Sequence, residues 1–349
     1  MLTIDGSFGE GGGQILRSSL ALSLLTATPF RISKIRAGRS RPGLMRQHLT
    51  AVRAAAEVGD AEVSGAEIGS TEVVFRPKAI RGGDFAFATG GAGSTTLVFQ
   101  TVLYPLLLGT DAPSTLRFEG GTHNPMAPPF EFLNEAFLPQ LAKMGANVAL
   151  ALTTHGFYPA GGGAWTATIA PVERLSRLEL LERGEIRSKR AVALVAQISG
   201  AIAVREIDAL LAKLGWDRSA GRPHVIRPAH GPGNALVATI ESEHVTEVFT
   251  GFGERGVSAE RVAEGVADEI AHYLRVGAPV GEHLADQLLL PMALGGGGSF
   301  HTVAPSGHTR TQMMLLETFL GTIVTAHEVG DDLHRIDVPA SPRNSFRPS

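Results

Sequence analysis

Two distant stretches of this chain repeat one pattern. "PGLMRQHLTAVRAAAEVGDAEV" (Pro42 to Val63) and "PPFEFLNEAFLPQLAKMGANVAL" (Pro128 to Leu150) each run from proline through an amphipathic helix to a glycine stop and then a strand, and Gly59 corresponds to Gly145. A second family of helices follows small-residue turns in "GGGQILRSSLALSLL", "GGAGSTTLVFQTVLYPLLL" and "APSGHTRTQMMLLETFL". After each comes a strand-like run: Phe30 to Arg36, Thr115 to Glu119 and roughly Thr322 to Ala326. The repeating unit therefore holds two helices and several strands. It buries both apolar stripes most simply by placing the helices together on one face of a sheet, which makes the fold class α+β.

The pattern breaks between about Gly184 and Ala278. There "SKRAVALVAQISG" reads as a strand, "AVREIDALLAKLGW" as a helix, "NALVATIESEHVTEVFTGFG" as two strands and "SAERVAEGVADEIAHYL" as a helix, a compact α+β insert. The expected organisation is residues 1–183, an inserted domain over 184–278, a resumption over 279–338, and a frayed tail, "PASPRNSFRPS", over 339–349.

Composition narrows the chemistry. There is no cysteine, so disulfides and thiolate metal sites are excluded, and a metal must be held by oxygen or imidazole, which favours magnesium or manganese. No long uncharged apolar run suggests a membrane span and no basic-then-apolar start suggests a secretory signal, so the expected location is the cytoplasm. From Gly11 to Ala56 there is no Asp or Glu, yet Arg17, Arg31, Lys34, Arg36, Arg39, Arg41, Arg46 and Arg53 all fall there. All but five of the chain's 31 basic residues are arginine, whose planar fork suits phosphate oxygens. Such a segment reads either as a solvated basic face or as a polyanion site, and the arginine bias favours the latter.

"DGSFGEGGGQILRSSLALSLL" (Asp5 to Leu25) has glycines at 9, 11, 12 and 13, which let backbone approach a ligand closely where a helix presents unpaired N–H groups and its positive end. A plain tight turn is the alternative. Arg17, one turn into an apolar helix, is costly to bury unless an anion meets it. Glu10 beside such a site calls for a bridging divalent cation. The loop matches neither a P-loop nor a clean dinucleotide fingerprint, and Thr3 stands where a KxDG motif would have its lysine. His308 in "APSGHTRTQ" sits at the predicted start of the last helix, where the dipole disfavours imidazolium and favours a neutral nucleophile; a structural histidine is the alternative.

"DGSFGEGGGQILRSSLALS", "IRAGRSRPGLMRQHLTAV", "HGFYPAGGG", "GPGNALVATIESE" and "GEHLADQLLLPMAL", in this order, resemble the RNA 3′-terminal phosphate cyclase family over nearly the whole chain, to about Asp337. The resemblance implies three units of two helices on a four-stranded sheet plus a smaller inserted α+β domain. It also implies ATP-dependent conversion of an RNA 3′-phosphate into a 2′,3′-cyclic phosphate, by way of an adenylylated histidine and an adenylated RNA end. His308 matches the nucleophile, Glu10 the metal-associated acid, and Arg17, Arg36, Arg39 and His48 the phosphate-side residues; Arg41 lies in the same basic loop. Gln100, Pro128, Phe132 and Asp286 match residues around the nucleotide. Plainer roles also fit these four: a cap, a helix start, a core residue and a solvated helix charge. The chain departs from the family where His283 replaces a common tyrosine, Gly307 a frequent cysteine, and His123 an expected acid. The cofactors implied are ATP with Mg²⁺ or Mn²⁺. The implied partner is RNA with a 3′-terminal phosphate, with no membrane and no obligatory protein partner. Two rival readings are a non-catalytic RNA-binding ribosome-assembly protein of the same superfamily and an enolpyruvyl transferase of related fold.

Overall fold

The structure is a computed structural model that describes residues 1–9, 11–343 and 345–347. Its described residues form four four-stranded sheets and eight α-helices. The first sheet contains β1 (Leu2–Asp5), β2 (Phe30–Ser33), β3 (Glu62–Ser64) and β4 (Val73–Arg76) in the order β1-β2-β4-β3. The second contains β5 (Asp84–Ala88), β6 (Ser114–Gly120), β7 (Asn147–Thr154) and β8 (Gly163–Ala170) in the order β5-β6-β8-β7. The third joins the distant β9 (Leu178–Leu180) to β14 (Gly298–Thr302), β15 (Thr325–Gly330) and β16 (Leu333–Val338), in the order β9-β14-β16-β15. In all three the first pair is parallel and the next two are antiparallel.

Each sheet shields one face with helices. Strand β6 alternates, with Leu116 and Phe118 buried and Arg117 and Glu119 exposed, the pattern of an antiparallel sheet with one wet face. On the dry side lie α1 (Gln14–Thr26) and α2 (Arg46–Val58), then α3 (Thr95–Leu108) and α4 (Leu138–Lys143). Helix α3 is apolar on nearly all sides because it packs against α1, α2, β6 and β8 at once. Trp165 stacks on Phe118 at 4.3 Å between ring centroids and donates its indole N–H to Thr95 Oγ1.

The fourth sheet, β10 (Ile186–Ala196), β11 (Gly221–Val225), β12 (Gly233–Ser242) and β13 (Thr246–Phe252), has the order β11-β10-β12-β13. It has its own small core beneath α5 (Gly200–Leu214) and α6 (Ala259–Val276). Helices α7 (Glu282–Leu294) and α8 (Gly307–Leu320) complete the third sheet's layer, and α8 lies against α1.

Four expectations change. The run from Phe30 ends as a strand at Ser33, because Lys34 (φ 53°) and Arg36 (φ 56°) turn the chain through left-handed backbone. The strand expected near Thr322–Ala326 starts at Thr325, since the chain must first cross from the Gly321 cap of α8 to the sheet edge. The helix after Pro128 opens as a π-helical turn over Phe132–Phe137 before α4. Pro139 has no N–H to bond Glu135, so that turn widens. Its end also differs from that of α2: Gly145 is left-handed at φ 96°, whereas after α2 that role falls to Asp60 at φ 44° and not to Gly59. The closing segment is docked and not frayed where it is described. Ser341 N–H donates to Gly295 O, Phe346 is 8% exposed within the main core, and Arg347 pairs with Asp111.

Candidate active site

The N-terminal ends of α1 and α8 meet. Gly13 caps α1 with no side chain, no acid stands in that helix's first turn, and Ser306 Oγ caps α8 by accepting from Thr309 N–H. His308 Nδ1 and Gln14 Oε1 lie 2.8 Å apart. With Gln14 Oε1 as the acceptor, His308 Nδ1 is the donor of this bond. The sequence placed His308 at a helix start and the structure does too; it gave no sign that Gln14 orients the ring.

The glycine loop is packed too closely for side chains. A Cβ on Gly9 would fall 2.1 Å from Thr311 Oγ1, one on Gly11 2.9 Å from Gly38 N, and one on Gly13 2.3 Å from His48 Nε2. Gly9 and Gly11 also need left-handed φ of 64° and 56°. Arg39 lies over this loop, its Nη2 3.0 Å from the position of a Cβ on Gly12. Glu10 falls outside the described residues.

Behind the loop, His48 is 5% exposed. Burial, then the charges of Arg17 and Arg36, push its pKa down to about 3, so it is a neutral ring at physiological pH. Its Nδ1 has no hydrogen-bond partner among the described residues. Arg17 is half-buried. Burial lowers its pKa to about 10 against a small opposing pull from Asp286, which leaves it charged at neutral pH. Arg36 spends its Nη1 on Arg41 O (2.6 Å) and Gly43 O (2.9 Å), so it holds the basic loop in shape, whereas Arg41 points from the exposed rim.

Between α1, α3, α7 and α8 opens a cleft of about 400 Å³, counting the space open to solvent; Gln14, Arg17, Ser18, Gln100, Asp286 and Gln287 are among its lining residues. Gln100 Nε2 donates to Gln287 Oε1, and Gln287 Nε2 donates to Asp286 Oδ1. Asp286 is 8% exposed, which removes the reading of a solvated helix charge. Burial pushes its pKa up to about 7 despite the opposing pulls of His283, Gln287 and Arg17. Across the cleft Ser18 Oγ donates to Gln312 Oε1, while Gln312 Nε2 is buried with no partner among the described residues. An orphaned donor of this kind costs about 1–3 kcal/mol and calls for an acceptor.

Not every expected residue reaches the cleft. Phe132 is 3% exposed in the main core, and Pro128 contributes its carbonyl to Thr96 Oγ1 at 2.8 Å. His283 stands exposed in the first turn of α7, 3.9 Å from a Glu269 carboxylate oxygen, and is not among the residues that line the cleft. Conversely, Gln14, Ser18, Gln287, Gln312 and Tyr104 line the cleft and were not foreseen. A signal existed. Gln100 interrupts the otherwise apolar α3, and polar positions on buried faces need partners.

The chain can now be set beside known proteins. The family model described as RNA 3′-terminal phosphate cyclase matches residues 8–326. The chain is 55% identical to a protein of that name from Ralstonia nicotianae, over 95% of this chain and 94% of the relative. It is 52% identical to one from Koribacter versatilis (92% and 90%) and 49% identical to one from Ectopseudomonas mendocina (97% and 98%). With a catalytic-type cleft whose loop, helix ends and buried charges lie inside the matched span, the chain belongs to the RNA 3′-terminal phosphate cyclase family.

Proposed function

We propose that the chain is an ATP-dependent enzyme of the cytoplasm that converts the 3′-terminal phosphate of RNA into a 2′,3′-cyclic phosphate. The observation that supports this most is the His308–Gln14 contact at 2.8 Å, which holds an imidazole at the N-terminus of one helix against the N-terminus of another. In this reading Nε2 attacks the α-phosphorus of ATP, the bond to the β-phosphate oxygen breaks, and pyrophosphate leaves. A terminal phosphate oxygen of the RNA then attacks the same phosphorus and the N–P bond breaks. The vicinal 2′-hydroxyl finally attacks the terminal phosphorus, gives up its proton, and releases AMP.

A triphosphate suits the donors present. The loop leaves room only for hydrogen at Gly13, Arg17 is charged, and Gln312 Nε2 lacks an acceptor. We assign Arg17 and Arg39 to phosphate charge, His48 to support of the loop, and Gln100 and Asp286 to the nucleotide side; Arg36 shapes the loop that presents Arg41 to RNA. Pro128, Phe132 and His283 bear on the nucleotide by packing and charge. Glu10 is the acid assigned to Mg²⁺ or Mn²⁺, and the cation supplies charge neutralisation among phosphate oxygens. We read the three sheets of equal order as copies of one unit and the fourth sheet with α5 and α6 as an insert.

The test is covalent labelling with α-labelled ATP. Wild-type protein is expected to take up label that His308→Ala, correctly folded by circular dichroism, does not. Labelling that persists in the variant overturns the assignment; a wild-type chain that never labels while binding RNA favours the non-catalytic alternative, and one that neither labels nor binds RNA favours the enolpyruvyl-transferase alternative.

A further inference from the structure

Three side chains unused by that reaction meet where β6 and β7 end. His123 follows β6, Glu131 enters the π-helical turn, and His155 follows β7; one donor atom of each lies within 4.8 Å of the other two. His123 Nε2 is 2.7 Å from Glu131 Oε2, and the two imidazoles stack at 5.2 Å. We propose that His123, Glu131 and His155 form a binding site for one divalent transition-metal cation of the zinc type, separate from the cation assigned to Glu10.

The donor set is the first argument. Two imidazoles and one carboxylate, with water completing the shell, suit zinc and its neighbours in the first transition row, whereas magnesium and calcium prefer oxygen. The second argument is preorganisation. Thr122 N–H and His123 N–H both donate to Gly156 O, at 2.8 and 2.9 Å, and Gly156 N–H donates to Thr122 Oγ1 at 2.9 Å. The segments bearing the two histidines are thus tied by backbone. A Cβ on Gly156 would fall 2.2 Å from Gly120 O, so glycine is required at this crossing.

Orientation is the third. Thr122 Oγ1 lies 2.8 Å from His123 Nδ1 and can accept its proton while its own hydroxyl turns to Gly156 O, so the ring can offer Nε2 as a ligand once a cation displaces the proton that Nε2 donates to Glu131. Zinc ligands at about 2.0–2.1 Å stand roughly 3.4 Å apart, so an ion replaces the 2.7 Å hydrogen bond by spreading that pair less than about 1 Å. The bound ion would clip the loop carrying the exposed Met126 to the β7–β8 hairpin.

Chelator-stripped full-length protein, held in excess Mg²⁺ to occupy the site assigned to Glu10, is titrated with Zn²⁺ by calorimetry, and its melting temperature is followed with and without Zn²⁺. One zinc per chain is expected, with a rise in melting temperature. His155→Ala and Glu131→Gln should each weaken binding at least roughly tenfold and abolish that rise. Co²⁺ added to wild-type protein should give the strong visible absorption of a low-coordinate nitrogen and oxygen site, a readout that needs no variant to fold. Absence of zinc binding by the wild type, or unchanged stoichiometry and affinity in both variants, overturns the proposal. RNA cyclisation with Mg²⁺ is measured separately, so either result leaves the reading of His308 independently testable.

Discussion

Asp286→Asn tests whether the cleft holds its carboxylate at the cost of stability. Against an unfolded value of 3.8, burial pushes Asp286 up to about 7 in the folded chain. A raised folded-state pKa means that the native protein binds more protons than the unfolded one, so stability present at acid pH is lost as pH rises through about 7. The difference of about 3 units corresponds to about 4 kcal/mol once both states are ionised, and about half of it falls between about pH 5.5 and 8.5. Asparagine keeps an oxygen to accept from Gln287 Nε2 and has no charge to desolvate. The assay is urea unfolding of ligand-free wild type and Asp286→Asn across that range. The variant's stability relative to wild type should grow by about 2 kcal/mol toward alkaline pH, while the same variant loses nucleotide-dependent labelling. A difference that does not change with pH would refute the buried, charge-strained carboxylate.

Glu247→Gln provides a parallel test away from the cleft: burial pushes this carboxyl, which accepts the Gly281 N–H at 2.6 Å, up to about 8. The variant should gain stability over wild type as pH rises through about 8, by at most about 4–5 kcal/mol, and an unfolding series that stays parallel would count against it. Gly13→Ala places a methyl 2.3 Å from His48 Nε2 and should cost about 1–3 kcal/mol in thermal unfolding together with most label uptake; wild-type labelling would show that the cradle yields. Arg39→Ala should lower the salt dependence of RNA binding by about one unit of log–log slope, and an unchanged slope with lost ATP labelling would move Arg39 to the triphosphate.

Periodicity made the helices legible, since α2 and α6 alternate apolar and charged faces and α3 is apolar throughout. Strand ends were harder. Lys34 and Arg36 adopt left-handed backbone without glycine, asparagine or aspartate to announce it. Within the site, residues on the loop and helix starts were readable because glycine clusters and a cation in an apolar helix each demand a physical reason. Side-chain environment was not. Asp286 looks identical in sequence whether solvated or buried, and only the packing of α7 against α8, across the cleft from α1, turns it into a cleft group. Phe132 has the spacing of a core residue, and the core is where it lies. His123 read only as a departure from an expected acid, and its contact with Glu131, eight residues on, was not legible in the sequence.

The central claim is cyclisation, and phosphatase resistance measures it most directly. Purified protein is incubated with ATP, Mg²⁺ and a 5′-labelled RNA ending in a 3′-phosphate, and the product is treated with a phosphomonoesterase before denaturing electrophoresis. The account predicts that the RNA becomes phosphatase-resistant only when ATP is present. It also predicts that an otherwise equal strand with a terminal 2′-deoxynucleotide stalls as an adenylated end, since no neighbouring hydroxyl can displace AMP. An end that stays phosphatase-sensitive, or a product in which two strands are joined, would contradict it.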